Sequence, residues 1–182
     1  MKLELSNTLF LVVDVQERLA PAMLPERFGP MLDNLKRLGA ATQILDVPAV
    51  VSEQYPKGLG GSVALIAEAF EGITPIDKVS FSVLGEPRLK DAIEGSGRKS
   101  VVLSGMETHI CVYQTARDLV DAGYAVHVLA DAVASRTEAN YQVGLGLMEK
   151  AGATITSTET VLFDLLGAAG SDRFKAISKL IR

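Results

Sequence analysis

Short β-branched and aliphatic runs recur along this chain, each followed by a longer stretch of helical period, and this alternation restricts the fold more than any other feature. The runs fall at residues 9–13, 48–52, 100–103, 125–129 and 154–157, with a weaker one at 75–78. Continuous apolar runs of this length read as strands buried on both faces. Helical period occupies residues 31–45, 61–70, 87–95, 108–123 and 137–152, several ending at a glycine suited to leaving a helix. Parallel neighbours need right-handed crossovers, which are usually helical, so the alternation predicts a mainly parallel sheet. The expected fold is α/β: a doubly wound, three-layer α/β/α arrangement on six strands, in one domain over residues 1–182. Residues 160–167 and 173–181 predict two further helices after the last strand.

Composition narrows the function classes. The 182 residues are 48% apolar and 22% charged, within the ordinary range for a globular protein. A net charge of -4, with acidic and basic residues interspersed, offers no clustered Lys and Arg for a polyanion, so nucleic acid is not an expected partner. The apolar run at 9–13 is cut off by Asp14, too short for a secretion signal or a membrane span, so no membrane partner is expected either. Cysteine occurs once, at Cys111, which excludes an intrachain disulfide and points to the reduced cytoplasm.

Sites in doubly wound sheets sit beyond the carboxyl ends of the strands, near the point where strand order reverses. Three residues are therefore of interest. Asp14 ends the first run; a carboxylate at the end of a buried strand needs a partner, although a strand-end Asp also serves as a helix cap. Cys111 follows the strand at 100–103 and lies near a helix start, where unpaired N–H groups favour thiolate over thiol; a lone Cys is also a common inert core residue. Lys78 closes the weaker run, where its charge would stabilise both a thiolate and a carboxylate; an average Lys is simply solvated.

In order and spacing, four segments resemble the isochorismatase-like cysteine hydrolases, the superfamily that includes nicotinamidases and N-carbamoylsarcosine amidohydrolases. They are Val12-Val-Asp-Val-Gln-Glu-Arg-Leu, Asp77-Lys-Val-Ser-Phe-Ser, Gly105-Met-Glu-Thr-His-Ile-Cys-Val running into Tyr113-Gln-Thr-Ala-Arg-Asp-Leu, and Asp131-Ala-Val-Ala-Ser-Arg. The resemblance spans nearly the whole chain, and its wording is closest to the isochorismatase domain-containing subgroup. It implies a catalytic triad of Asp14, Lys78 and Cys111, a cis peptide bond between Met106 and Glu107, and an oxyanion hole formed by the backbone N–H groups of Glu107 and Cys111. It also implies hydrolysis of an amide or carbamoyl C–N bond in a small molecule through a Cys thioester, by a homo-oligomer, a dimer or higher.

The chain departs from nicotinamidases, whose metal site uses an Asp and several His residues after the second strand. Here that stretch reads Val51-Ser-Glu-Gln-Tyr-Pro-Lys-Gly-Leu-Gly, and the only histidines are His109 and His127, so neither a metal nor another cofactor is expected. Glu53 alone is a weak cation ligand. True isochorismatases lack the cysteine nucleophile, which sets Cys111 with the other branch. The turn-rich segment after residue 52 reads as a pocket rim, and Gln16, Gln54, Tyr55, Phe81 and His109 are candidates to contact substrate. His109 is two residues from Cys111, a spacing at which side chains diverge, so a wall role suits it better than a Cys–His dyad. The competing reading is a non-catalytic interaction module in which Cys111 is a redox sensor.

Overall fold

The computed structural model describes residues 2–182, and six strands form its sheet: β1 (Thr8–Val13), β2 (Ala49–Gln54), β3 (Ile76–Lys78), β4 (Ser100–Met106), β5 (Ala125–Ala134) and β6 (Thr154–Thr156). The order is β3-β2-β1-β4-β5-β6 and every pairing is parallel. Successive strands move outward from β1 in one direction and then from β4 in the other, so the chain reverses direction across the sheet between these two strands. All residues of β1 and β4 are buried, as their unbroken apolar character requires, whereas the short edge strands β3 and β6 are partly exposed.

The described residues also form eight α-helices: α1 (Pro25–Leu45), α2 (Pro56–Leu59), α3 (Ala64–Ala69), α4 (Pro87–Gly95), α5 (Tyr113–Asp121), α6 (Glu138–Lys150), α7 (Thr158–Leu166) and α8 (Asp172–Ile181), of which all but the short α2 pack on the sheet. Alternation along β1 sends Phe10 and Val12 into an apolar cluster with α1, α3, α7 and α8, and Leu9, Leu11 and Val13 into a second with α4, α5 and α6. These two clusters are the cores on either side of the sheet, and the architecture is the three-layer α/β/α fold expected. Among the described residues no helix is long and apolar enough to cross a membrane.

Several boundaries differ from expectation for local reasons. Helix α1 begins at Pro25 and runs through Gly29 and Pro30, residues that read as breakers. Pro25 sits at the helix start, where a missing N–H costs nothing, and Pro30 deprives only the carbonyl of Glu26, which faces solvent. The helix expected at 108–123 is divided: Thr108–Val112 form a π turn and regular α5 follows. Strand β5 runs on to Ala134, past a shift in its register with β4 between Leu103 and Gly105.

Gly105 permits the approach of β1 and β4 at the reversal point. Its φ is +115°, and a Cβ there would lie 2.0 Å from the carbonyl oxygen of Val13. Because that neighbour is backbone in a buried strand, neither side can yield. Gly105→Ala should therefore lose about 3 kcal/mol or more of stability, read as a lower urea midpoint; an unchanged midpoint would show that the strands have slack.

Candidate active site

Three loops meet at the carboxyl edge of the sheet around the reversal point, and the residue types they carry are mostly polar. Asp14 is the first residue after β1 and has φ +54°, a left-handed conformation that turns the chain sharply out of the strand. Its N–H donates to Ser52 O at 3.1 Å, so β2 still holds it. The carboxylate is fully buried. Oδ1 accepts from Ser52 Oγ at 2.7 Å and Oδ2 from Lys78 Nζ at 2.6 Å.

Lys78 reaches this point because β3 pairs with β2, with Gln54 in register beside it. Its side chain is buried, and Nζ donates to Gln54 Oε1 at 2.7 Å, Phe81 O at 3.0 Å and Ser80 O at 3.2 Å as well as to Asp14. Four oxygens around one ammonium, only one of them charged, account for how a lysine is tolerated here.

Cys111 enters from the other side of the reversal point, in the π turn that follows β4. The Met106–Glu107 peptide bond at the end of β4 is cis. The carbonyl of Glu107 accepts from the N–H groups of Ile110 at 3.0 Å and Val112 at 3.2 Å, and the intervening Cys111 N–H is not among its donors. The turn lies close to α6 because residue 144 is glycine: a Cβ there would come within 2.7 Å of the Thr108 carbonyl. The Cys111 thiol lies near enough to the Asp14 carboxylate for each to shift the ionisation of the other.

The three groups predicted from sequence are thus brought together, but burial outweighs the pull toward thiolate expected from Lys78 and the helix start. Burial pushes the Cys111 thiol up to about 12, and the neighbouring Asp14 charge adds to this, against a smaller downward pull from Lys78. Burial likewise raises the Asp14 carboxyl above its ordinary value, opposed by the charge of Lys78, by hydrogen bonds from Lys78 and Ser52 and by the neighbouring Cys111. Burial and the Asp14 charge thus both favour the neutral form of the Cys111 thiol.

The candidate substrate contacts separate into two kinds. Gln16 is buried and spends its amide on the backbone, donating to Gln54 O at 3.0 Å and Gly60 O at 2.7 Å and accepting from Gln54 N at 2.7 Å. Gln54 likewise donates to Val79 O at 2.7 Å while accepting from Lys78. Tyr55 and Phe81 are 54% and 52% exposed, although their backbones touch Lys78: Tyr55 N donates to Lys78 O and Phe81 O accepts from Lys78 Nζ. His109 Nδ1 shares a hydrogen bond with Ser135 Oγ at 3.0 Å, consistent with a wall position.

Residues to which the sequence assigns no part of their own, and which the structure brings to this edge, are Ser52, Ser135, Arg136 and Gly144. Ser52 sits opposite Val13 in the β1–β2 register, a polar residue at a strand end that periodicity alone does not distinguish. Arg136 donates through N at 3.3 Å and Nε at 2.9 Å to the Glu107 carboxylate, which is buried.

The donor set after β2 does not fit a metal. Glu53 Oε1 accepts from Ser62 N at 2.6 Å and Ser62 Oγ at 2.8 Å, closing the loop, and the Gln54 amide is committed to Lys78. Among the described residues no group of three or more His, Cys, Asp or Glu could hold a metal ion.

A buried thiol beside a carboxylate should ionise late. The ultraviolet thiolate band, taken as wild type minus Cys111→Ala, should stay flat to roughly pH 10 and develop toward about 12. Asp14→Asn removes a negative charge that opposes ionisation, so its band should appear at lower pH. A band already present in the wild type at neutral pH would mean a pre-formed thiolate.

Known proteins share this fold and part of this sequence. The isochorismatase domain profile matches residues 8–160. The secreted isochorismatase effector Isc1 of Phytophthora sojae is 41% identical over 97% of this chain and 85% of its own length. Isochorismatase domain-containing protein 1 of Danio rerio is 38% identical over 97% of this chain, which spans 62% of that relative. The structure of a Caenorhabditis elegans protein described as MAR1 ribonuclease superposes with a TM-score of 0.92 at 36% identity, over 100% of this chain and 92% of the other. The chain belongs to the isochorismatase family.

Proposed function

We propose that this chain is a cysteine hydrolase that cleaves the C–N bond of a small amide or carbamoyl compound through a thioester on Cys111. The observation that carries the reading is the fully buried ion pair of Asp14 with Lys78, beside which the Cys111 thiol is placed. A thiol with its base beside it is the arrangement nucleophilic catalysis needs.

Asp14 takes the Cys111 proton as sulfur attacks the carbonyl carbon. The resulting oxyanion is bound by the N–H groups of Glu107 and Cys111, each such donor being worth about 3 kcal/mol of barrier. Asp14 then gives the proton to the nitrogen, the C–N bond breaks and the amine leaves. Water, losing a proton to the same carboxylate, attacks the thioester; the C–S bond breaks and the proton returns to sulfur. Lys78 offsets the charge of Asp14 through their ion pair. No metal enters this sequence, in keeping with the side chains after β2.

Tyr55, Phe81 and His109 remain the side chains offered to substrate, whereas Gln16 and Gln54 hold the protein itself. The exposed Val79, Phe81 and Tyr55, with Val143 and Leu147 on α6, provide apolar surface for a homo-oligomer, a dimer or higher. A reducing compartment such as the cytoplasm would keep the single thiol available. The net charge of -4 leaves RNA an unsuitable substrate.

The late-ionising thiol favours hydrolase over redox sensor, because peroxide sensing relies on an accessible, low-pKa thiolate, whereas Cys111 is only 6% exposed. A screen of small amides, carbamoyl compounds and imides tests the assignment. On any substrate found, Cys111→Ala should lose at least about a thousandfold in kcat with an unchanged unfolding midpoint, and the acyl adduct should form and decay only with Cys111 present. Full turnover by Cys111→Ala would end the proposal.

A further inference from the structure

Strand β2 ends in two polar side chains two residues apart, which a strand projects to the same face. Each meets one member of the ion pair. Ser52 Oγ donates to Asp14 Oδ1 at 2.7 Å, and Gln54 Oε1 accepts from Lys78 Nζ at 2.7 Å. Both are buried, Ser52 completely. Gln54 is itself clamped by Gln16, two residues beyond Asp14, so the contacts close a ring from Asp14 through the chain to Gln16, then Gln54, Lys78 and back to Asp14. Lys78 is thus held by several groups, whereas among the described residues Asp14 Oδ1 has the Ser52 hydroxyl as its one hydrogen-bond donor.

We propose that Ser52 is a positioning residue of this site: with Lys78 on the other oxygen, its hydroxyl fixes the rotation of the Asp14 carboxylate and presents it to Cys111 as a ready base. The assignment rests on Asp14 acting as that base. A serine is suited to the task because it donates to a carboxylate without bringing a charge, and a hydrogen bond to the charged form favours that form. Through that bond Ser52 also opposes the upward pull of burial on Asp14. The ionisable and charged groups facing Asp14 are Lys78 from β3 and Cys111 from the π turn; Glu107, at the end of β4, acts on Cys111 and is tied to Arg136. None can replace the Ser52 donor on Oδ1.

The test uses the full chain and needs no substrate: the rate of Cys111 alkylation by iodoacetamide, followed by intact mass across pH. If Asp14 assists proton removal, the wild-type rate falls on the acid side as Asp14 takes up a proton, and Asp14→Asn removes that limb. Ser52→Ala should move the limb to higher pH by about half to one unit, which is a 3- to 10-fold slower reaction on its acid side, with the rates converging above it. The Asp14 side-chain 13C resonance should titrate at a correspondingly higher pH in Ser52→Ala. A role in packing alone would lower the unfolding midpoint and leave both titrations in place. If Asp14→Asn abolishes the limb while Ser52→Ala leaves it and the 13C titration where they were, the role of Ser52 is overturned alone. If the limb survives Asp14→Asn, Asp14 is not the base, and this inference falls with that reading.

Discussion

The ion pair of Asp14 with Lys78 is the constraint around which the carboxyl edge of the sheet is organised. Both side chains are fully buried. Taking two charges from water costs several kcal/mol for each, and their attraction offsets this only when the remaining lone pairs and protons also find partners. That requirement explains much of the local architecture. The loop after β3 folds back so that two carbonyls face the ammonium, Gln54 turns its amide oxygen inward, and Ser52 gives its hydroxyl to the free carboxylate oxygen. Removing one charge from such a pair usually costs about 3–5 kcal/mol, so the site and the fold are coupled.

The ion pair alone would be inert without a reacting group, and topology supplies one. Asp14 leaves β1 and Cys111 follows β4, the two strands between which the direction of winding reverses. Helices before and after that point lie on opposite faces, the place where doubly wound sheets as a class leave a crevice between their loops. Two glycines set how closely the crevice walls approach. Gly105 lets β4 lie against the carbonyl of Val13, and Gly144 lets α6 press on the turn that carries Cys111. A methyl group at either would displace backbone, moving the thiol relative to the carboxylate.

Much of this was legible in the sequence because it follows from periodicity and from residue types at strand ends. The buried parallel strands, the two faces of helices and the convergence of Asp14, Lys78 and Cys111 all belong to that class. Less legible were features set by side-chain geometry across the fold. Ser52 is an ordinary strand residue until β1 and β2 are placed in register, when it falls beside Val13 and reaches Asp14. Gln16 and Gln54 resemble substrate ligands from their positions, yet both amides are taken up by the protein. The π turn around Cys111 is invisible to a helical repeat, since its apolar residues still fall on one side of α5. The balance of forces on the thiol was least legible, because the pull of a helix end and of Lys78 is evident from sequence, whereas near-total burial is known only after folding.

That last difference changes how the nucleophile would work. A thiolate resting beside Asp14 would put two negative charges on a single ammonium in a buried space, and the balance of burial and charge lies against it. With a neutral thiol, the site carries one negative and one positive charge, which is the condition that Lys78 can satisfy. In the proposed reaction, negative charge would build on the attacked oxygen only as the Cys111 proton passes to Asp14. In that interval the carboxyl becomes neutral and the oxyanion carries the charge instead, so the count around Lys78 is conserved. An arrangement of this kind limits side reactions of an exposed thiolate and holds reactivity until a carbonyl compound is in place.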